Sequence, residues 1–258
     1  MSKKIILLAG PTASGKSKLA ICLAKKLNGE IINADSMQVF KEFKILSSRP
    51  SLSDTQKIKH HLYGDISVKR YFSTGDWLKK AKKKIDNCLK RKKIPIVVGG
   101  TGLYFSTITK GISKIPDIDK KTRNKVRHLH KKLGYKKFYD LLVKLDPKIQ
   151  GRILATDSQR AQRAYEVKLK TKKSLFDWFA NTKSDFLDYE IKKLFIEIPR
   201  NKLLKKISMR TELMFKEKCV NEVRKFNKLK IKKDLSANKL IGVQEINDFL
   251  NGSISLNQ

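Results

Sequence analysis

Short apolar runs alternate with helical patterns along the first part of the chain. Three runs are typical of buried strands: Ile5 to Ala9, Glu30 to Asn33 and Ile94 to Val98. Two stretches have helical spacing: Lys16 to Leu27, and a stretch capped by Ser73 or Thr74 that runs to about Arg91. Leu62 to Ile66 is a further strand candidate. Strands that alternate with helices predict a parallel sheet with crossover helices.

The pattern changes between Ile112 and Lys193, where no clear strand appears. Helical spacing covers four stretches there: Lys120 to Leu133, Lys136 to Leu145, Asp157 to Lys168 and Leu175 to Phe179. Three elements follow: a strand at Leu194 to Ile198, a long amphipathic helix over Asn201 to Phe226 and a short helix over Val243 to Leu250. We therefore predict a core made of residues 1–112 and 194–258, with an all-helical insertion domain at 113–193.

The charge balance points to a polyanionic partner. The 258 residues include 59 Lys and Arg against 24 Asp and Glu, which gives a net charge of +35. Such an excess favours nucleic acid, because each neutralised phosphate releases a counterion. The alternative is genome composition, because 11 of the basic residues are Arg and the remaining 48 of the 59 are Lys. A hydrophobic content of 40% rules out a wholly disordered chain.

Several kinds of site are disfavoured by residue spacing. Cys22, Cys88 and Cys219 have no paired spacing, which predicts reduced thiols in the cytoplasm. His60 and His61 are adjacent and point in different directions on any regular element, so we expect no metal site there. No apolar run reaches the roughly 18 residues of a membrane helix, so we expect no membrane contact. We also expect the protein to be a monomer.

A phosphate-binding loop follows the first strand. The GxxxxGK[ST] pattern is met in full by Gly10, Pro11, Thr12, Ala13, Ser14, Gly15, Lys16 and Ser17. The backbone N–H groups of such a loop turn toward a pyrophosphate, and the following helix adds positive potential. Lys16 supplies a mobile charge, and Ser17 supplies a hydroxyl ligand for Mg²⁺. The expected fold is therefore a P-loop NTPase-like α/β protein.

The motifs alone do not identify the ligand that this loop binds. A nucleotide hydrolase needs an acid at the end of a nearby strand to hold the water of the metal. The strand at Ile94 to Val98 ends instead in Gly99, Gly100 and Thr101. The loop therefore binds either a diphosphate that is not a nucleotide, or the ATP of a kinase that uses Asp35 as base.

The segment after the second strand offers three kinds of polar group. Asp35, Ser36 and Gln38 supply a carboxylate, a hydroxyl and an amide, with Met37 among them. A carboxylate can accept a proton from an attacking group, and a glutamine can read a base edge. The alternative is that Asp35 only caps the turn that follows.

A second polar segment opens a helix of the insertion. Arg160 and Arg163 are three residues apart and share a face with Gln159, which suits RNA phosphates and base edges. A structural alternative is equally open. Thr156 and Gln159 form a capping-box pattern, and the two arginines have acidic neighbours with which they can pair.

Seven motifs in chain order resemble those of the tRNA isopentenyltransferase family, the tRNA dimethylallyltransferases. Beyond the loop at 10–17 and the run at 35–39, they are Pro95 to Phe105, Asp146-Pro147, Asp157 to Arg160 with Arg163-Ala164, Pro199-Arg200 and Ile241-Gly242. The match covers nearly the whole chain. It implies transfer of a dimethylallyl group from dimethylallyl diphosphate to the exocyclic N6 amine of the adenosine 3′ of the tRNA anticodon.

The resemblance also implies roles for individual residues. The loop from Gly10 to Ser17 would hold the donor diphosphate with Mg²⁺, helped by Arg210. Thr12 and Thr101 would contact reacting groups, and Asp35 would accept the amine proton. The residues implied in contacting tRNA are Asp35, Ser36, Met37, Gln38, Thr101, Arg123, Gln159, Arg160, Ala161, Gln162 and Arg163. The basic insertion would bind the anticodon stem-loop.

The sequence departs from the family pattern at several positions. They are Phe40 in place of Tyr, Lys172 in place of Thr-Gly, Lys218 in place of Gly, and Val243 with Gln244 in place of Tyr-Lys. The basic, tryptophan-containing segment with which family members end is missing, which would lower RNA affinity or rate if that segment contributes to either. Two other functions stay open: a small-molecule or nucleotide kinase, and a basic RNA-binding protein without catalysis.

Overall fold

A computed structural model describes residues 3–255 of the chain. These residues form a parallel sheet with flanking helices and a second, helical unit. The described strands are β1 (Lys3–Ala9), β2 (Gly29–Asn33), β3 (His60–His61), β4 (Ile94–Gly99) and β5 (Tyr189–Phe195). The described α-helices are α1 (Lys16–Lys26), α2 (Leu52–Lys57), α3 (Thr74–Lys90), α4 (Gly102–Thr109), α5 (Lys120–Leu145), α6 (Ser158–Thr171), α7 (Leu175–Ala180), α8 (Arg200–Lys216), α9 (Cys219–Asn227) and α10 (Val243–Leu250).

Two compact units divide the chain. One unit contains the residues up to 108 and from 188 onward, and the other spans Thr109–Leu187. The last three residues of the predicted core, 256–258, lie outside the described residues. No helix within residues 3–255 combines the length and the apolar character that crossing a membrane requires.

The sheet of the first unit has the strand order β3-β2-β4-β1-β5, and every pairing is parallel. The central strands β2 and β4 are almost wholly buried, as is usual in a parallel sheet with both faces covered. The apolar sequence of β4 fits this burial, whereas β2 buries Glu30 and Asn33 beside its two isoleucines. Ile6, Leu8, Ile31 and Ile96 pack with two alanines of α1 into one apolar cluster. The sheet thus fixes the positions of the loops that leave the carboxyl ends of its strands.

Two strands lie at positions that differ from those predicted from the sequence. The third strand is the two-residue β3 and not Leu62 to Ile66, although Ile66 forms one isolated bridge with Phe40. The strand predicted at Leu194 to Ile198 is β5, which begins five residues earlier at Tyr189. Its lysines and exposed face hide the strand pattern, as expected of an edge strand that pairs with β1 alone among the described strands.

The long helix predicted over Asn201 to Phe226 is broken in two. Lys218 adopts a left-handed backbone conformation with φ of 68°, and this residue separates α8 from α9. Lys172, which ends α6, has φ of 61°. At both positions the resemblance noted in the sequence analysis implies a glycine, the residue that adopts this conformation without steric cost. Neither α2 nor α4 was predicted.

The second unit is all-helical. Buried side chains of α5 and α6, including Val126, Phe138 and Leu142, form its core. The α5 segment contains a break at Gly134 (φ 73°, ψ 170°), which agrees with the two helical patterns predicted there. The capping box of Thr156 and Gln159, considered as a structural alternative, is not the cap that forms; the Asp157 side chain accepts from the Arg160 N–H and caps α6.

A buried carboxylate links β2 to α3. Both oxygens of Glu30 accept hydrogen bonds from the Arg91 guanidinium at 2.7 Å, and the carboxylate also meets His61 Nε2 at 2.6 Å and the Cys88 thiol at 3.4 Å. Burial acts to raise the pKa of Glu30, but these hydrogen bonds prevail and lower it to about 2. This cluster anchors the C-terminal end of α3 to the sheet.

The Glu30→Gln variant is expected to lose about 1–3 kcal/mol of unfolding free energy at neutral pH, because it weakens charge-assisted hydrogen bonds at a buried site. A pKa lowered from 4.5 to about 2 stabilises the fold fully above pH 4.5. That stabilisation disappears as the pH falls toward 2. Chemical denaturation across this range should therefore show a shallower pH dependence for Glu30→Gln than for wild type. The exposed change Glu212→Gln serves as control, and equal slopes for all three proteins would contradict this role.

Candidate active site

The loop between β1 and α1 is shaped as its sequence pattern predicts. Ala13 and Gly15 both have positive φ, 56° and 89°, and Gly15 leads directly into α1. The Ser14 hydroxyl is buried and has no hydrogen-bond partner among the described residues. A buried hydroxyl without a partner is costly, and an anion bound in the loop would give the Ser14 hydroxyl an acceptor. Ser17 lies in the exposed first turn of the helix.

Two cations belong to this loop. Lys16 Nζ donates to the Pro11 carbonyl oxygen at 2.6 Å, so the ammonium folds back over the loop. Arg210 reaches it from α8 and donates to Thr12 Oγ1 at 3.0 Å. The predicted arginine therefore contacts the loop although the two residues are 198 positions apart in the sequence.

Asp35 follows β2 and has its two oxygens in different surroundings. Its Oδ1 accepts from the Met37 N–H at 2.9 Å and the Gln38 N–H at 3.4 Å, which is the turn-capping role considered as an alternative. Its Oδ2 takes part in none of the hydrogen bonds found among the described residues. A methyl group added to Gly100 would lie 4.0 Å from this Oδ2 and 3.7 Å from the Gly10 carbonyl oxygen. The carboxylate and the phosphate loop thus flank the same glycine.

Asn33 positions Asp35, and sequence reasoning missed it. This wholly buried amide accepts from the Asp35 N–H at 2.8 Å and donates to the Asp35 carbonyl oxygen at 3.0 Å and to that of Leu62 at 3.0 Å. The backbone carbonyl oxygen of Asn33 accepts a hydrogen bond from the Trp77 indole N–H at 2.8 Å. A polar residue at the end of a buried strand was the signal available in the sequence.

Thr101 joins the ends of β2 and β4. Its hydroxyl accepts from the Ser36 N–H at 2.9 Å and donates to the Ser36 hydroxyl at 3.3 Å. The Thr101 N–H donates to the Ala34 carbonyl oxygen at 3.2 Å. A side chain at Gly99 would lie 2.1 Å from that same oxygen, so only glycine permits this approach. The predicted residues Asp35, Ser36 and Thr101 are therefore brought together.

The charges of the site act on one another. Burial lowers the pKa of Lys16, the Asp35 carboxylate opposes that shift, and Arg210 adds to it. Burial also lowers the pKa of Arg210, again opposed by Asp35. Two partly buried cations beside one carboxylate favour a bound anion, because a second negative group would relieve their mutual repulsion.

Gln38 has a structural contact that sequence reasoning did not anticipate. Its amide nitrogen donates to the carbonyl oxygens of Ser47 and Ser48 at 2.8 and 3.2 Å. The loop that carries these oxygens is held from α9 by Glu222, whose carboxylate accepts three consecutive backbone N–H groups at 44–46. No sequence signal connects Glu222 with this loop, because the two are about 177 positions apart.

The residues predicted to contact RNA in the helical unit have unequal exposure. Arg160 is 76% exposed and pairs with Asp157 at 3.2 Å, whereas Arg163 is 39% exposed and pairs with the largely buried Glu166 at 3.5 Å. The Ala161 side chain packs in the core of the unit. The remaining predicted residues are exposed (Arg123, Gln159) or half-buried (Gln162).

His61 has an acidic residue and a cysteine beside it, although neither is near it in the sequence. Glu30 and Cys88 lie with His61 in one group whose ligand-type atoms are all within 4.8 Å. Arg91 occupies both Glu30 oxygens, and burial raises the pKa of the Cys88 thiol to about 12. A neutral thiol and a saturated carboxylate are poor metal ligands, so the group acts as a hydrogen-bonded anchor.

Comparison with known proteins gives a consistent result. The model of the IPP transferase family matches residues 38–258. A tRNA dimethylallyltransferase of Pelagibacter ubique is 54% identical over 255 residues, which are 99% of this chain and 82% of the relative. A tRNA dimethylallyltransferase of Rickettsia massiliae is 42% identical over 257 residues, covering 99% of this chain and 71% of the relative.

Solved structures show the same likeness. The full-length tRNA isopentenylpyrophosphate transferase of Bacillus halodurans superposes with a TM-score of 0.67 and 29% identity, over 99% of this chain and 80% of that one. A eukaryotic dimethylallyltransferase described as acting on tRNA superposes with a TM-score of 0.83 and 28% identity, over 98% of this chain and 64% of that one. The parallel α/β fold expected from the sequence is confirmed.

Proposed function

This chain belongs to the IPP transferase family, and we propose that it transfers a dimethylallyl group from dimethylallyl diphosphate to the N6 amine of the adenosine 3′ of the anticodon in tRNA. The products are N6-isopentenyladenosine and diphosphate. The observation that carries the proposal is the position of Asp35, whose Oδ2 flanks Gly100 beside the first residue of the phosphate loop. A donor diphosphate in the loop and an amine at Asp35 would then be neighbours.

Asp35 is proposed as the general base. The N6 amine is a weak nucleophile because its lone pair is delocalised into the adenine ring. As the new bond forms between N6 and C1 of the dimethylallyl group, the C1–O bond breaks and the diphosphate leaves with the electron pair. The amine proton passes to Asp35 Oδ2, while Oδ1 keeps its bond to the Met37 N–H. Only one oxygen is then needed to hold the turn.

Lys16 and Arg210 are proposed to stabilise the departing diphosphate. Lys16 Nζ must leave the Pro11 carbonyl oxygen to reach a phosphate, and Arg210 already lies at Thr12. Negative charge grows on the diphosphate as the C1–O bond breaks, so fixed cations and backbone N–H groups stabilise the transition state more than the ground state. The Ser14 hydroxyl would donate to the same anion.

Ser17 fits a role in holding Mg²⁺. Its hydroxyl is a hard oxygen donor in the first turn of α1, and Mg²⁺ prefers such oxygens together with substrate phosphates and water. When bound, the ion would neutralise charge on the leaving diphosphate. The chain's own contribution is the hydroxyl of Ser17, beside the cations of Lys16 and Arg210.

The helical unit is proposed to bind the anticodon stem-loop through the exposed residues of α6 and Arg123 of α5. An adenosine must leave its stack to reach an enclosed donor, and a second basic surface would hold the RNA while it does so. The kinase alternative is not favoured, because relatives at 54% and 42% identity are named tRNA dimethylallyltransferases. The monomeric state and the cytoplasmic location stay predictions.

The proposed function is tested by incubating the protein with labelled dimethylallyl diphosphate, labelled ATP and unmodified tRNA. We expect label from the prenyl donor in the RNA and no consumption of ATP. Lys16→Ala should slow transfer by about 10²–10³-fold and leave tRNA affinity unchanged, whereas the exposed change Lys18→Ala should affect neither. ATP turnover would support a kinase, and RNA binding without transfer would indicate a protein without this catalysis.

Asp35→Asn is expected to reduce the single-turnover rate by about 10²–10⁴-fold while donor and tRNA still bind. Asparagine retains an Oδ1 that can accept from the Met37 N–H, so the turn should persist without the base. Thermal unfolding of the variant checks that the fold is kept, and Asp65→Asn is the matched exposed control. A rate within about threefold of wild type, well below the general-base range, would limit Asp35 to its turn-capping contact.

Arg160→Gln is expected to weaken tRNA binding and to reduce the slope of log K against log salt by about one. Arg163→Gln should affect stability as well, because it leaves the largely buried Glu166 without its ion pair. Lys137→Gln, which removes one exposed charge from α5, controls for net charge. Equal slopes for Arg160→Gln and Lys137→Gln would place the specific RNA contact elsewhere.

A further inference from the structure

A basic cavity lies on the first unit, away from the phosphate loop. It has a volume of about 440 Å³ and is lined by Lys59, His61, Lys84, Asn87, Lys90 and Arg91. Glu30, which bonds to Arg91 and His61 of this lining, is the second residue of β2, whereas the phosphate loop follows the last residue of β1. Because β1 and β2 run in the same direction, the cavity lies near the amino end of β2, whereas the proposed active site lies at the carboxyl ends of the strands.

Three lysines of this lining have no acidic partner. Lys59, Lys84 and Lys90 form no ion pair and no side-chain hydrogen bond among residues 3–255. They come from two separate parts of the chain, the approach to β3 and the second half of α3. Like charges gathered in one concavity repel one another unless an anion joins them.

Glu30 does not supply that anion. Both of its oxygens are taken by Arg91, and Oε2 also meets His61. Arg91 is thereby neutralised within the cluster, and the three lysines stay uncompensated. Burial lowers the pKa of His61, bonding to Glu30 opposes the shift, and the charges of Lys84 and Lys59 lower the pKa further. His61 therefore experiences the positive potential of the cavity.

Helix-dipole compensation explains only part of this arrangement. Basic residues at the end of a helix, such as Lys90 and Arg91, interact favourably with its C-terminal carbonyl groups. Lys59 lies outside the helix, and Lys84 is more than one turn from its last residue. The helix dipole of α3 therefore does not account for all of the positive charge that lines the cavity.

We propose that this cavity is a second phosphate-binding site, separate from the phosphate loop. Its ligand is a phosphate or diphosphate group held by Lys59, Lys84 and Lys90, with Asn87 as a neutral donor. A volume of about 440 Å³ is within the range of small-ligand sites. The group belongs either to a free anion or to the backbone of an RNA, and both offer the same chemistry to the lysines.

The test uses His61 as a local reporter and two charge-matched double variants of α3. Lys84→Gln with Lys90→Gln removes two charges from the cavity, and Lys79→Gln with Lys83→Gln removes two exposed charges outside it. The imidazole signals of the 15N-labelled protein, with His61 assigned through His61→Gln, are followed against pH with and without inorganic pyrophosphate. Binding of an unmodified anticodon stem-loop RNA is measured across a series of salt concentrations.

Pyrophosphate is expected to raise the pKa of His61 in wild type and in the exposed double variant. In the cavity variant the apparent affinity for pyrophosphate should fall about tenfold, which identifies a free anion as the ligand. A smaller salt dependence of RNA binding in the cavity variant alone, by about two phosphate contacts, would support the same site with RNA as the source. If both double variants behave alike in both measurements, the cavity is only a solvated basic surface and the proposal is wrong.

Discussion

Parallel pairing between β2 and β4 is the constraint on which the candidate site depends. The pairing continues past the regular strands, since the Ala34 N–H donates to the Val98 carbonyl oxygen at 2.7 Å and the Thr101 N–H donates back to Ala34 at 3.2 Å. The close approach of Gly99 to Ala34 makes this continuation possible. As a result the loops that carry Asp35 and Thr101 leave the sheet side by side, next to the loop after β1.

Preorganisation of Asp35 follows from this constraint. Asn33 fixes the backbone of Asp35 on both sides of its Cα atom, and Thr101 holds the N–H of Ser36. One carboxylate oxygen then orders the turn, and the other makes no hydrogen bond among residues 3–255. In the proposed reaction, a base held by such neighbours would lose little entropy when its substrate binds, which is how a rigid fold contributes to rate.

Local patterns predicted the parts of the structure that local physics determines. The phosphate loop, the cap of α3 at one of the two candidates Ser73 and Thr74, and the position of α10 were all predicted from residues close together in the sequence. Asn33 and Glu222 were missed because their roles come from partners far along the chain. Arg210 entered only through family resemblance, because nothing in a lysine-rich helix distinguishes an arginine that reaches Thr12.

Tertiary context also overrode local propensity at element boundaries. Lys218 breaks a helical pattern by adopting a conformation that favours glycine, and the charged sequence of β5 conceals a strand that its pairing with β1 requires. The anchor around Glu30 was invisible to spacing arguments, since His61 and Cys88 reach the carboxylate only after β2, β3 and α3 have packed.

Whether Asp35 is a base held beside the donor diphosphate can be seen in a structure of the protein with Mg²⁺, the unreactive donor dimethylallyl thiodiphosphate and an unmodified anticodon stem-loop RNA. We expect the diphosphate in the loop at 10–17 and Asp35 Oδ2 within about 3.2 Å of the adenosine N6. Oδ1 should still accept from the Met37 N–H. An adenosine N6 beyond hydrogen-bond reach of Asp35, or a carboxylate with both oxygens engaged by the turn, would show that Asp35 is not the base.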